Sequence, residues 1–338
     1  MRILGIETSC DDTAAAVVVD GRTVESNVLA SQDEFHREYG GVVPEIASRK
    51  HAELLNAVIE LALRKADAPL ERLDGIAVTC GPGLAGSLVV GVAAAQGLAF
   101  ARGLPAYAVN HLHGHLFANY LDAPDLPQRD PPVTPFLCLI VSGGHTDLIF
   151  VEANDRHRRI GRTLDDAAGE AYDKVARMLG LGFPGGPHLD RLAESGNPDA
   201  FSFPRGLVRD GGYDFSFSGL KTAVRYHLDA HPQDAAERSA DVAASFQAAV
   251  VDALCAKTLR AARDFDVTTI ALAGGVSANS ALRRELQRRG NAEGLRVLVP
   301  PLAYCTDNAA MIAAAAFYRG KAALVAPQSL RADPNFAW

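Results

Sequence analysis

His111 and His115 stand four residues apart in NHLHGHLFANYL, so on a helix both imidazoles project from one face at metal-ligand spacing. His113 points elsewhere on such a helix. Leu112 sits where a zinc protease of the HExxH type carries its glutamate, which argues against peptide hydrolysis by that route. A third ligand must come from another part of the chain. Asp307, in the turn CTDNAAM, is one candidate; Asp11 and Asp12, in the turn SCDDT, are others, and spacing does not choose among them. Two neutral nitrogens and one carboxylate would leave coordination positions open for a reacting ligand.

A second kind of chemistry is written in three polar or Gly-rich turns: Ser9 to Thr13, Ser142-Gly143-Gly144-His145-Thr146, and Gly274-Gly275-Val276-Ser277-Ala278-Asn279. Backbone N–H groups freed by glycine, beside hydroxyls, suit phosphate oxygens. None matches a Walker A loop or a dinucleotide G-x-G-x-x-G fingerprint, which disfavours ordinary P-loop and Rossmann chemistry. In LDDAAGEAYDKVARMLG, Asp165 and Asp166 read as caps for the helix that follows, while Asp173 lies further in. GFPGGPHLD, 182–190, is a Gly-Pro turn able to approach a flat ligand closely; Lys221, in DFSFSGLKTAV, has no role legible from spacing.

The elements that must carry these turns repeat. RILGIETS, the turn CDDT, AAAVVVD and TVESNVLAS form a β-meander; PFLCLIVS, GGHT and DLIFVEAN, then a polar turn DRHRR and IGRTL, give the same order. A shift of 133 residues superposes Ser9 on Ser142 and Thr13 on Thr146, the mark of an internal duplication. Helical patterns follow each meander. Each half also carries a short apolar strand, GIAVTC and TIALAG, ahead of a Gly-rich turn and a helix. Two mixed α/β lobes facing a cleft are expected, with strand-end turns lining it. The first lobe is expected over 1–125, with a helix at 308–325 packing back on it, and the second over 136–307. A Pro-rich connection, 122–135, has five prolines and four charges.

A length of 338 residues agrees with two cores, and 48% hydrophobic with 22% charged residues excludes disorder. Five cysteines, at 10, 80, 138, 255 and 305, form no CxxC pair, so a reducing cytoplasm is expected, and the start MRILGIETSCDD is too briefly apolar for a secretory signal. Residues 75–101 are uncharged over 27 positions, but six glycines, Pro82 and Gln96 make them a strand, a turn and a small-residue helix rather than a membrane span.

Taken together, ETSCDDT, GGVVPEIASRKH, the His111/His115 pair, VSGGHT, DDAAGEAYDKVARMLGL, FPGGP, DFSFSGLKTAV, AGGVSAN and CTDNAAMIA resemble the tRNA N(6)-adenosine threonylcarbamoyltransferase family. The resemblance implies duplicated ribonuclease H-like lobes of the actin, sugar kinase and Hsp70 type around a central cleft. It implies transfer of threonylcarbamoyl from threonylcarbamoyl-adenylate to the exocyclic amine of the adenosine 3′ of the anticodon, releasing AMP. It implies one divalent metal, iron or else zinc, held by His111, His115 and Asp307. Substrate would be bound by Ile140, Val141, Ser142, Gly143, Gly144, Asp173, Gly186, Asp190 and Asn279. The implied partners are tRNA, a catalytically inactive paralogue and a small P-loop ATPase, with no membrane. His113 stands where the family pattern has Glu, and Asp12 where Glu follows Asp11. On chemical grounds Asp11 or Asp12 is expected to accept the amine proton.

Two rivals share these turns: a small-molecule kinase of the same fold group, which needs no histidine pair, and a non-catalytic nucleotide-gated scaffold. The net charge of −7 opposes a polyanionic substrate; basic clusters exist locally, Arg156/Arg158/Arg159/Arg162 in one turn and Arg283/Arg284/Arg288/Arg289 on one helix, each read by default as a solvated face, so weak, salt-sensitive tRNA binding by this chain is expected, with partners supplying the rest of the positive surface.

Overall fold

The computed structural model describes residues 1–123, 130–208 and 210–338; the middle of the Pro-rich connection, 124–129, and Arg209 lie outside the described residues. The chain forms two compact units. One comprises Met1–Pro132, Asn154–Arg156 and Pro300–Trp338; the other comprises Val133–Ala153 and His157–Val299.

In the first unit, the meander strands β1 (Arg2–Glu7), β2 (Asp12–Val19) and β3 (Thr23–Ser31) join β4 (Gly75–Gly81), β5 (Ala106–Asn110) and β11 (Leu324–Val325) in the order β11-β5-β4-β1-β2-β3. β1 pairs antiparallel with β2 and parallel with β4, and β4 runs parallel to β5. The run GIAVTCG is buried along its whole length, as a central parallel strand requires. Around the sheet lie α1 (Asp33–Arg37), α2 (Pro44–Lys65), α3 (Ala85–Arg102), α4 (His111–Phe117) and α11 (Ala309–Arg319). The strand, turn and helix expected over 75–101 are β4, the Gly81–Pro82 turn and α3. α11 is buried from Ala309 to Ala316, and its small side chains let it lie directly against β1.

In the second unit, β6 (Phe136–Val141), β7 (Thr146–Ala153), β8 (Arg156–Arg162), β9 (Thr269–Ala273) and β10 (Arg296–Leu298) are ordered β10-β9-β6-β7-β8. This is the β5-β4-β1-β2-β3 order again, with β6 antiparallel to β7 and parallel to β9. The duplication is therefore one of topology as well as of sequence. The helices are α5 (Ala168–Met178), α6 (Gly185–Ala193), α7 (Ser218–Ala230), α8 (Asp234–Glu237), α9 (Ser239–Asp264) and α10 (Ser280–Ala292). α5 buries Ala168, Ala171, Tyr172, Val175 and Ala176, a stripe spaced at 3, 4, 7 and 8 residues. Among the described residues, α3 and α9 are long and apolar enough to cross a membrane; 83% of the apolar window of α9 is buried, which makes it a core helix.

Two local expectations are corrected. Arg156, Arg158, Arg159 and Arg162 do not share a turn but lie along strand β8, where pleating separates them. Asp165 and Asp166 do not cap α5. Asp165 accepts hydrogen bonds from the backbone N–H groups of Phe217 and Ser218 and the hydroxyls of Ser216 and Ser218, so it caps α7, while Asp166 binds Lys174 and Lys221.

Candidate functional site

Helix α4 begins at the end of β5, where Asn110 caps it by accepting a hydrogen bond from Leu112 N at 2.9 Å. The cap fixes the helical phase, and the i, i+4 spacing then brings His111 and His115 together, ring centroids 4.7 Å apart. Asp307 stands just before α11, which packs against α4. Its Oδ1 lies 3.4 Å from His111 Nε2 and 3.2 Å from His115 Nε2. All three candidate ligand atoms fall within 4.8 Å of one another. The 3.2 and 3.4 Å edges match the roughly 3.0–3.4 Å between adjacent ligands that are about 2.1 Å from a common ion.

The chemistry of the donor set fits a cation as well. Both ring nitrogens of His115 are buried without a hydrogen-bond partner, which costs free energy, and an ion held at Nε2 would satisfy one of the two. His113, by contrast, turns toward Arg319 and packs edge-on against Trp338 at 4.6 Å, outside the cluster. Asp307 keeps 24% of its side chain open, so the cluster has an accessible side.

Behind His111 stands Glu7, which sequence reasoning did not single out. It ends β1 with no exposed surface; its Oε2 lies 3.0 Å from His111 Nδ1 and accepts from Thr79 Oγ1 at 2.6 Å, while Oε1 accepts from Ser9 N. Burial opposes its ionisation, and the charge and hydrogen bond of His111 outweigh that, holding the carboxyl below its usual range. Burial likewise works against a charged His111, yet Asp307 and Glu7 on its two sides raise it well above 6.5. Glu7 thus claims Nδ1–H and leaves Nε2 directed at Asp307, the arrangement that carboxylate–histidine pairs use to orient a metal ligand. The legible signal was an acid directly after the apolar run ILGI of β1.

Asp11 lies in the turn between β1 and β2, and Asp12 opens β2. Burial, then the charges of Asp307 and Asp11, push Asp12 up to about 8; burial above all raises Asp11 too. The turn is held from below by His51 of α2, whose Nε2 lies 3.0 Å from the Cys10 carbonyl and whose Nδ1 lies 2.8 Å from Thr13 Oγ1.

The nine residues expected to bind substrate all fall in the second unit. Ile140 and Val141 end β6 with buried side chains, leaving only their backbones to offer. Ser142 closes the next turn, its Oγ accepting from His145 N at 3.1 Å, while Gly143 and Gly144 stand open. A Cβ on Gly169 of α5 would come within 2.6 Å of the Ser142 carbonyl oxygen, so this glycine lets the turn seat against the helix start. Asp173 accepts from Gly185 N and Gly186 N, at 2.9 and 3.1 Å, and holds the Gly-Pro turn. Asp190 accepts from the N–H and hydroxyl of Ser280, and Asn279 caps α10 while donating to Gln247 at 2.8 Å. A turn after β6 and another after β9 are thus braced by the same side chains expected to meet substrate.

An α/β chain with a duplicated meander-and-crossover lobe has the architecture of the actin-like ATPase fold. HypF of T. kodakarensis, a solved structure, matches over 94% of this chain and 47% of its own, with TM-score 0.59 at 15% identity, a likeness of fold. Residues 23–314 match the family model for tRNA N6-adenosine threonylcarbamoyltransferase. The enzyme of that name from Symbiobacterium thermophilum is 53% identical over 98% of this chain and 96% of its own length. Its namesake from Geobacter sp. strain M21 is 54% identical over 93% and 90%. The chain belongs to the tRNA N6-adenosine threonylcarbamoyltransferase family: it is an acyltransferase that modifies adenosine in tRNA.

Proposed function

We propose that the chain takes threonylcarbamoyl from threonylcarbamoyl-adenylate and transfers it to the N6 amine of the adenosine 3′ of the anticodon. The new bond joins that nitrogen to the carbamoyl carbon, the bond from that carbon to phosphate oxygen breaks, AMP leaves, and the amine gives up one proton. The observation that carries the reading, beyond family membership, is the His111/His115/Asp307 cluster with Glu7 behind it.

We assign the divalent metal to those three ligands and favour iron, because two histidines and one carboxylate with open positions form an iron(II)-type donor set; zinc is the alternative. When bound, the ion supplies Lewis-acid polarisation of a carbonyl oxygen. The chain's own residues do the rest. Glu7 orients His111. Burial above all, and then the charge of Asp307, keep Asp12 protonated near neutral pH; with a cation held at Asp307 that second cause would weaken, and Asp12 or Asp11 would accept the amine proton. Ser142, Gly143 and Gly144, with the backbones of Ile140 and Val141, cradle the adenylate phosphate, while Asp173, Gly186, Asp190 and Asn279 hold its nucleoside portion.

A catalytically inactive paralogue and a small P-loop ATPase are the proposed partners, in the cytoplasm. The outer face of α3, uncharged from Ala85 to Ala101, with Val89 and Phe100 exposed by 54% and 77%, supports a protein partner there. The test incubates the full chain, with these partners, with threonylcarbamoyl-adenylate and unmodified tRNA, and analyses the nucleosides. Modified adenosine with stoichiometric AMP is expected. ATP-dependent phosphorylation of a small molecule, or neither product, would refute the proposal in favour of a kinase or a scaffold.

A further inference from the structure

Gln247 is a buried amide on the core helix α9, 6% exposed, at a place where an apolar side chain would cost less to bury. A run of donors and acceptors fixes which way it faces. The N–H of Leu282 donates to Asn279 Oδ1 at 2.8 Å, so the amide nitrogen of Asn279 must point the other way. That nitrogen donates to Gln247 at 2.8 Å, so Gln247 must present Oε1. The same oxygen accepts from Tyr172 OH at 3.3 Å. Burial, above all, raises the Tyr172 phenol well above its ordinary range, so the donated proton stays on it at any working pH. The ring of Tyr172 also packs edge-on against Phe246, the residue before Gln247, at 5.2 Å.

Those two donors belong to the two stretches assigned to the nucleoside. Tyr172 directly precedes Asp173, whose carboxylate holds Gly185 N and Gly186 N. Asn279 directly precedes Ser280, which Asp190 holds through its N–H and its hydroxyl. A single oxygen on a third helix thus ties both. We infer that Gln247 is a positioning residue for the adenylate: by holding Tyr172 and Asn279 at once, it sets the distance between the Gly185–Gly186 turn and the start of α10, and so how the two grip the nucleoside. Gln247 itself touches no substrate; it acts through Asn279 and, by way of Tyr172, through Asp173. The inference rests on the adenylate reading of these turns and needs neither the metal nor the general base.

The test titrates AMP, the nucleotide released in transfer, into the full chain by calorimetry, and pairs each variant with a melting curve and with chelator competition for Co(II). Asn279→Ala is the reference and is expected to weaken AMP binding about tenfold or more. Gln247→Leu offers no acceptor to either donor, and about a tenfold loss is expected. Tyr172→Phe removes one donor and should cost about threefold; Gln247→Glu keeps an oxygen for both and should cost less than about threefold. Co(II) affinity, set in the other unit, should not change in any of them. Wild-type AMP affinity in Gln247→Leu beside a loss in Asn279→Ala would overturn the inference and leave the adenylate reading standing. No AMP binding by the wild-type chain, or wild-type affinity in Asn279→Ala, would overturn both. A loss in Gln247→Glu equal to that in Gln247→Leu, or a joint loss of AMP and Co(II) affinity in Gln247→Leu, marks general damage to the core and would overturn the inference too. If Gln247→Leu does not fold, Tyr172→Phe decides in its place, wild-type AMP affinity there being the refuting result.

Discussion

Glu7→Gln tests whether the metal ligands are oriented or merely adjacent. The carboxylate accepts three hydrogen bonds, from Thr79 Oγ1 at 2.6 Å, from His111 Nδ1 at 3.0 Å and from Ser9 N. An amide has one oxygen and one NH2, so it cannot accept on both sides. If its oxygen stays with Ser9, the NH2 faces His111 Nδ1; the imidazole must then accept there and carry its proton on Nε2, the nitrogen a metal needs. If its oxygen stays with His111, a buried N–H at Ser9 faces the NH2 unpaired, which costs about 1–3 kcal/mol of stability. The first outcome should weaken metal binding about 10–100-fold, which is about 1.4–2.7 kcal/mol. The assay is competition of the purified chain with a chelator for Zn(II) or Co(II), beside a melting curve. Thr79→Val is the control, because it removes a donor to Glu7 while leaving the carboxylate on His111. It should cost about 1 kcal/mol in stability and little in metal affinity. Wild-type metal affinity together with wild-type stability in Glu7→Gln, or an equal loss of affinity in Thr79→Val, would refute the reasoning.

Other perturbations act through contacts as specific. Gly5→Ala places a Cβ 2.2 Å from the Ala309 carbonyl oxygen, so α11 must retreat by about 1 Å and carry Asp307 with it. Lower stability by about 1–3 kcal/mol and weaker metal binding are expected, read by melting and chelator competition. Gly169→Ala drives a Cβ to 2.6 Å from Ser142 O and should raise KM for the adenylate more than it lowers kcat. Asp147, on β7, is pushed up to about 6 by burial, with Arg159 only partly offsetting it. Its folded-state pKa lies above the unfolded one, so the native state keeps the proton longer and stability falls as pH rises from about 4 to 6. Asp147→Asn should remove that fall and gain up to about 3 kcal/mol at pH 7 to 8, measured by denaturant unfolding; an unchanged pH profile sinks the assignment.

The architecture was legible because it is repetitive. Two meanders offset by 133 residues announce two lobes, and the strand orders obey the repeat. The histidine pair was legible because i, i+4 spacing is a local property of one helix. Asp307 was not, since nothing local distinguishes it from Asp11 or Asp12; what brings it to His111 and His115 is α11 lying on β1 and α4. Glu7 was hidden for the same reason. Its partners Thr79 and His111 are 72 and 104 residues away in sequence and become neighbours only because β1, β4 and β5 are adjacent strands. Asp165 misled because an acid before a helix reads as that helix's cap, and the chain instead sends it to α7, 52 residues on.

The duplication also gives the two units one turn with two unlike fillings. The equivalent residues Ser9 and Ser142, Thr13 and Thr146, frame the same turn in each lobe, and each threonine hydroxyl is tied to a helix of its own unit. Thr13 lies 2.8 Å from His51 of α2, and Thr146 accepts from Ala168 N of α5 at 2.9 Å. The frame is common and the filling differs. Cys10-Asp11-Asp12 puts two successive carboxylates between Ser9 and Thr13, close enough to Asp307 for the charges to repel, which disposes that unit to a cation. Gly143-Gly144-His145 leaves backbone open in the other, which disposes it to an anion. Exchanging the two tripeptides should therefore cost metal binding and adenylate binding together while leaving both sheets intact, since neither filling contributes to the cores.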